Sequence, residues 1–134
     1  MKKIQLITIA ILAVLLLSML PLSGCGKTAQ WADPIVENVL VSINNEDYSS
    51  FIKDFGDDLI KEITKDKFPE VINGVIGDFG KYIEGSKKMF SVNISNNVTT
   101  TEYTGKFKNK DSVQFKFVFE KIDDQIKVTG FAFE

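Results

Sequence analysis

The sequence predicts an α+β domain in which N-terminal helices pack in the concave face of a curved four-stranded antiparallel sheet. Three observations lead to this prediction. Up to Gly85, apolar residues recur every three or four positions, as on one face of a helix. After Gly85 they recur at every second position, as on one face of a strand. Thr129-Gly130 shifts the phase of the last strand, which indicates a bulge, and bulges bend sheets.

The N-terminal stretch predicts an export signal and a lipid anchor. Two lysines precede an apolar run over residues 4–20, and small residues follow, as in a secretory signal. Leu22-Ser23-Gly24-Cys25 resembles the lipobox of bacterial lipoproteins, which implies lipidation of Cys25 by diacylglyceryl and palmitate and cleavage just before it. The alternative is an uncleaved apolar anchor. Either way, we expect the domain on the extracytoplasmic face of the cell membrane.

We therefore expect three parts in the chain: a signal peptide at 1–24, the lipidated cysteine and a tether at 25–32, and the domain at 33–134. Trp31 lies in this tether, either at the membrane interface or folded back on the first helix as a lid over the core. Mature residues number 134 − 24 = 110, the usual size of one domain.

The composition of the mature chain excludes several classes of function. Removal of two lysines leaves 14 basic residues against 18 acids, a net charge of −4, whereas nucleic-acid binders are normally basic. All basic residues are lysines, and the chain has no histidine and one cysteine, Cys25. Zinc sites and catalysis by Ser-His-Asp or Cys-His groups are therefore not expected. We expect no nucleic acid, no metal and no cofactor.

Apolar spacing and capping residues predict four helices. Asp33 is expected to cap the first helix, with Pro34 in its first position and its end near Asn45. Asp47 is expected to cap the second, and Asp57-Asp58 to begin the third. The fourth helix carries the most regular apolar stripe, with Pro69 in its first turn: Phe68, Val71, Ile72, Val75, Ile76 and Phe79.

Alternation and polar turns predict four strands joined as three hairpins. The expected turns are at Ser95-Asn96-Asn97, Asn109-Lys110 and Asp123-Asp124. A bulge at Thr129-Gly130 would bring both halves of the last strand onto one face. The inward residues would then be Phe90, Val92, Ile94, Tyr103, Gly105, Phe107, Val113, Phe115, Phe117, Phe119, Ile126, Val128, Phe131 and Phe133.

Four stretches of the sequence form a familiar set: Asp33-Pro34-Ile35, Tyr48 with Phe51 and Phe55, Gly80-Lys81-Tyr82, and Ile126 with Gly130-Phe131-Ala132-Phe133. Together they resemble a family of bacterial extracytoplasmic domains of unknown function, whose cone fold is similar to nuclear transport factor 2 and ketosteroid isomerase, in the cystatin-like class. The resemblance implies this cone fold and a cavity between the sheet and the helices. It does not imply a reaction.

Two classes of function follow, with the non-catalytic one preferred. A binding module would take a small apolar ligand in the cone or a protein partner, including a second copy through the sheet as a homodimer. An enzyme similar to ketosteroid isomerase would instead use Asp78 as base with Tyr82 or Tyr103. The phenylalanines line a pocket or simply fill the cone as core. The expected pocket residues are Phe79, Tyr82, Tyr103, Phe115 and Phe117.

Overall fold

The computed structural model describes residues 29–134, in which four helices precede four strands, as the sequence predicts. The predicted signal peptide, Cys25 and the predicted tether up to residue 28 lie outside the described residues. No helix in the described part is long and apolar enough to cross a membrane. The elements are α1 Ala32–Asn45, α2 Tyr48–Phe51, α3 Asp57–Glu62, α4 Phe68–Phe79, β1 Lys88–Ser95, β2 Val98–Phe107, β3 Lys110–Ile122 and β4 Gln125–Phe133.

The helix ends confirm one predicted cap and correct another. Asp47 caps α2, because its Oδ1 accepts a hydrogen bond of 3.2 Å from the backbone N–H of Ser50. Asp33 does not cap α1, since the helix begins at Ala32, two residues before the predicted start at Pro34, with Trp31 at the N-cap position and no side-chain cap. Asp33 lies in the first turn instead, where its carboxylate is available to another part of the chain. Pro69 lies in the first turn of α4, as expected.

The sheet is a meander with strand order β1-β2-β3-β4, all neighbours antiparallel. Its first and third turns contain Asn96, Asp123 and Asp124 with positive φ, a conformation that Asn and Asp tolerate better than most residues. The predicted bulge in β4 is confirmed, because Val118 pairs with Gly130 while Phe119 pairs with Val128. Thr129 is the extra residue.

A second bulge, in β1, corrects the prediction for Phe90. Met89 pairs with Tyr103 and Ser91 pairs with Glu102, so that Phe90 is an extra residue between them. Its side chain is 54% exposed and contributes to a small hollow with Glu102. Met89 packs against the core in its place. Strict alternation predicts an inward side chain at Phe90, and one inserted residue is enough to move a side chain to the other face of the sheet.

The helices and one face of the sheet share a single apolar core. Phe51 and Phe55 reach the sheet from the α2 region and contact Phe131, each with ring centroids 6.0 Å apart. The chain between α2 and α3 also pairs with β4, since the backbone N–H of Gly56 donates to the carbonyl of Val128 at 2.9 Å. These contacts fasten the helices to the edge strand β4.

Candidate functional site

Four of the five residues expected to line a pocket fill the interior instead. Tyr82, Tyr103, Phe115 and Phe117 are all buried. Tyr103 stacks on Phe115 with centroids 5.5 Å apart and planes at 11°, and Phe115 meets Phe117 edge-on at 6.2 Å. Phe79 alone among the five is only partly buried. Of the two uses that the sequence left open for these rings, the core is the one the structure favours.

Both interior tyrosines donate their hydroxyl hydrogen to carboxylates on α1. The Tyr103 hydroxyl lies 3.1 Å from Asp33 Oδ1, and the Tyr82 hydroxyl lies 2.8 Å from Glu37 Oε2. Asp33 and Glu37 are four residues apart, so a single helix face presents both carboxylates. Asp78, the base in the alternative enzyme hypothesis, makes no side-chain hydrogen bond to either tyrosine within residues 29–134, and each tyrosine donates to a carboxylate of α1 instead.

Glu37 is the centre of a polar network that fastens the α4–β1 connection to α1. Its Oε2 also accepts a hydrogen bond of 2.9 Å from Lys87 Nζ, and its Oε1 accepts one of 2.7 Å from the backbone N–H of Gly85. Two turns further along α1, the Asn44 side chain accepts a hydrogen bond of 2.9 Å from the backbone N–H of Tyr82 and donates one of 2.8 Å to the carbonyl of Tyr82. The connection is thus fixed at several points.

The pKa values in this network follow from burial and hydrogen bonding. Burial alone would raise the pKa of Glu37, but the hydrogen bonds from Lys87, Gly85 and Tyr82 outweigh it, and the pKa falls below its usual 4.5. Burial, reinforced by the Glu37 carboxylate, raises the pKa of Tyr82 to about 12. Burial, with a smaller effect of Asp33, also raises the pKa of Tyr103. Both tyrosines are therefore neutral at physiological pH.

An apolar cleft of about 330 Å³ opens between α4 and the edge strand β4, here called the α4–β4 cleft. Phe79 and Asp78, both singled out from the sequence, belong to it. A methyl group added at Gly74 would meet nothing within 4 Å, so this side of the helix is open. The cleft is lined by Val71, Gly74, Val75, Asp78, Phe79, Phe131, Ala132 and Phe133.

A larger cleft of about 640 Å³, between α3 and the β3–β4 hairpin, is polar. Its lining includes four carboxylates and two ammonium groups, so it does not suit the small apolar ligand expected from the sequence. Within residues 29–134, no group of three or more acidic, histidine or cysteine side chains is arranged to hold a metal ion. The charged lining residues are Asp57, Asp58, Lys61, Glu120, Asp123 and Lys127.

Sequence reasoning missed the two carboxylates that hold the tyrosines. Asp33 has the local signature of a helix cap, because it precedes a proline and an apolar stripe. Glu37 lies between two apolar positions, Val36 and Val39, and so has the appearance of an ordinary solvated residue. The available signal was their spacing, since two residues four positions apart lie on the same face of a helix and can accept hydrogen bonds from two neighbouring groups.

A comparison with protein families matches residues 36–131 to the family described as protein of unknown function DUF3887. The chain belongs to this family. The DUF3887 match begins within α1 and ends within β4, and it includes Glu37, Tyr82 and Phe131, whereas Asp33 and Cys25 fall outside it. A comparison with curated proteins gives no match.

Proposed function

We propose that the chain is a lipoprotein anchored through acylated Cys25 on the extracytoplasmic face of the cell membrane, and that its domain is a non-catalytic binding module. The module takes an apolar side chain of a protein partner, or a small apolar ligand, in the α4–β4 cleft. The observation that carries the proposal is the contrast between the filled interior and this open cleft. Of the five residues expected to line a pocket, only Phe79 lines it.

The lining of the cleft determines the kind of ligand. Apolar walls stabilise a bound group by roughly 25 cal/mol for each Å² of apolar surface removed from water. Asp78 adds one carboxylate, which can accept a hydrogen bond from an amide or ammonium group. Ligand pockets usually measure about 300–1,000 Å³. At about 330 Å³, the cleft has room for a small ligand or for one or two side chains.

The alternative function, an enzyme similar to ketosteroid isomerase, draws on the Asp33–Tyr103 pair. A carboxylate and a tyrosine at 3.1 Å are the groups such a reaction needs. Tyr103 is completely buried, however, and its hydroxyl hydrogen is already donated to Asp33. A substrate would have to displace Asp33 and open the core. For this reason we prefer the binding module.

The helix offers a matched pair of variants to test the cleft. Gly74 lines it, Gly77 is on the same helix outside the lining, and a methyl group at either position meets nothing within 4 Å. Gly74→Leu should fill the cleft and abolish the fluorescence increase of an apolar dye, while Gly77→Leu should retain it. Native mass spectrometry after gentle purification reports any co-purifying ligand. Equal dye binding by both variants contradicts the proposal.

The lipid anchor is tested at Cys25, the single cysteine of the chain. Cys25→Ser should leave an uncleaved precursor or release the domain from membranes, because one acyl chain binds membranes only marginally and two bind stably. Mass spectrometry of the wild-type chain should show the loss of residues 1–24 and the added lipid. The anchor is wrong if the variant is still cleaved, labelled by fatty acid and sedimented with membranes.

For a second copy of the chain, we propose the outer face of the sheet as the contact. The bulge in β1 places Phe90 there, 54% exposed, beside the cross-strand neighbours Glu102 and Lys116. A two-fold contact would bury both copies of Phe90. Sedimentation equilibrium should show a dimer that Phe90→Glu converts to a monomer. A wild-type monomer at high concentration contradicts this contact.

A further inference from the structure

Two hairpin turns lie together at one end of the sheet. The backbone N–H of Lys121 donates to the carbonyl of Asn97 at 3.2 Å, which joins the β3–β4 hairpin to the turn between β1 and β2. Residues next to hairpin turns are usually polar. Here Ile94 and Ile126 flank the two turns with 56% and 39% of their surface exposed.

Trp31, at the start of α1, lies at the same end. Its ring meets Phe119 edge-on with centroids 5.0 Å apart, and with Ile126 it lines a shallow cleft of about 160 Å³. Thr99, also in this lining, is paired with Ile94 on one side and with Phe119 on the other. We call Trp31, Ile94 and Ile126 the apolar end. Ile94 and Ile126 continue the inward face of the sheet beyond the buried core, and Trp31 packs against that core but is only partly buried.

The proposed tether brings this end close to the lipid. Trp31 follows Cys25 by six positions, and an extended chain spans at most about 3.6 Å per residue. The acylated cysteine therefore lies within roughly 20 Å of Trp31, whatever path the tether takes. Since the chain enters the domain at Trp31, the apolar end is the part of the domain that this short connection holds nearest to the membrane.

We propose that the apolar end rests on the lipid surface, with Trp31, Ile94 and Ile126 entering the headgroup region. This inference rests on the proposed lipid anchor. Tryptophan is favoured at membrane interfaces, because its ring is apolar while its N–H remains hydrated. The contact is an apolar one, and it gives the domain a fixed orientation on the membrane.

Charges near the turns set the preferred lipid. Glu120, Asp123 and Asp124 lie near Lys121 and Lys127, so this end carries three negative charges against two positive charges. Negatively charged headgroups would repel it. We therefore expect closer contact with zwitterionic phosphatidylcholine vesicles than with vesicles rich in phosphatidylglycerol, and the difference should shrink as salt screens the charges.

Trp31 is the single tryptophan of the chain, so its fluorescence reports this contact directly. The full chain, produced in a bacterium and purified from membranes, is reconstituted into phosphatidylcholine vesicles whose acyl chains are brominated near the headgroups. We expect the bromines to quench Trp31, and the Ile94→Asp, Ile126→Asp double variant to lose most of that quenching. Ile83→Asp is the matched control, because the Ile83 side chain is 47% exposed. The backbone N–H of Ile83 donates to the carbonyl of Lys106, towards the opposite end of the sheet.

Three outcomes overturn the inference: no quenching of wild-type Trp31 in the vesicles, equal quenching of the double variant, or loss of quenching in Ile83→Asp. The wild-type measurement decides alone if the double variant does not fold. The mass of the same purified chain tests acylation separately. Quenching without acylation would support the membrane contact and refute the lipid anchor. Acylation without quenching would support the lipid anchor and refute the membrane contact.

Discussion

The inner strand β3 and the edge strand β4 carry similar aromatic patterns in different surroundings. Phe115 and Phe117 of β3 are buried, whereas their cross-strand partners Phe133 and Phe131 of β4 are only partly buried. The ring centroids within these pairs are 5.5 and 5.6 Å apart. β3 has a neighbouring strand on each side and β4 ends the sheet. Position in the sheet, and not composition, thus separates core rings from rings that line the cleft.

The comparison predicts a large difference in stability between the two strands. Phe115→Ala should lower the free energy of unfolding by about 3–5 kcal/mol, because a buried ring leaves a cavity. Phe133→Ala should lower it by less, since its ring is partly exposed, and Lys116→Ala should have little effect. Chemical denaturation of the three variants measures this order. Equal midpoints for Phe115→Ala and Lys116→Ala would mean that the opposite face of β3 is inward.

Two glycines of the sheet sharpen the same comparison. A methyl group at Gly105, on β2, would come within 3.0 Å of the Phe115 ring and 3.4 Å of the Tyr82 ring. Gly105→Ala should therefore cost about 1–3 kcal/mol by overpacking the core. Gly130→Ala is the control on the edge strand, where the nearest atom is 4.0 Å away. Thermal denaturation that ranks Gly130→Ala as the more harmful variant would contradict a tightly filled interior.

The Glu37–Tyr82 contact should make stability depend on pH at both extremes. The lowered pKa of Glu37 means that its contribution is present above pH 4.5 and is lost as pH falls through the folded-state value. The pKa of Tyr82 is raised from 10 to about 12, so its contribution is present below pH 10 and is lost between these two values. At neutral pH, Tyr82→Phe should cost about 1.5 kcal/mol, because it removes a hydrogen bond to the ionised Glu37 carboxylate, which keeps its bonds to Lys87 and Gly85.

Unfolding measured from pH 3 to pH 11 checks these signs. Glu37→Gln should flatten the acid limb of the profile, and Tyr82→Phe should flatten the alkaline limb. The double variant should show neither contribution. An acid limb that is unchanged in Glu37→Gln would mean that other carboxylates dominate acid unfolding.

Local chemistry made most of the fold predictable from the sequence. The cap at Asp47 and the bulge at Thr129-Gly130 depend on residues close in the chain, and both are found. The partners of the tyrosines depend on contacts between residues 45 and 70 positions apart, for which short-range spacing gives no signal. The prediction for Phe90 was wrong because Phe90 is itself the extra residue of the β1 bulge. The apolar alternation in the sequence runs through it, while the bulge turns its side chain outward.

The cleft could not be predicted, since it forms where a helix and an edge strand do not close on each other. The interior candidates were chosen by their aromatic character, which core and cleft share. The sequence contains only a weak signal for the cleft. This signal is the presence of glycines at 74 and 77 in a helix whose other positions carry an apolar stripe. Their meaning depends on whether another element covers them, and this is a property of the tertiary structure.

The smallest predicted effect tests whether the cleft is open. Glycine inside a helix is less stable than alanine by about 0.5–1 kcal/mol, because the unfolded chain loses more freedom on folding. Neither Gly74 nor Gly77 has an atom within 4 Å of an added methyl group, so Gly74→Ala and Gly77→Ala should each raise the free energy of unfolding by that amount. Denaturation measures folding, and both variants should be more stable than the wild type. Dye titration measures binding, and only Gly74→Ala should lower the affinity for the apolar dye. Destabilisation by Gly74→Ala alone would mean that β4 already closes against α4, and the binding module would then lack its site.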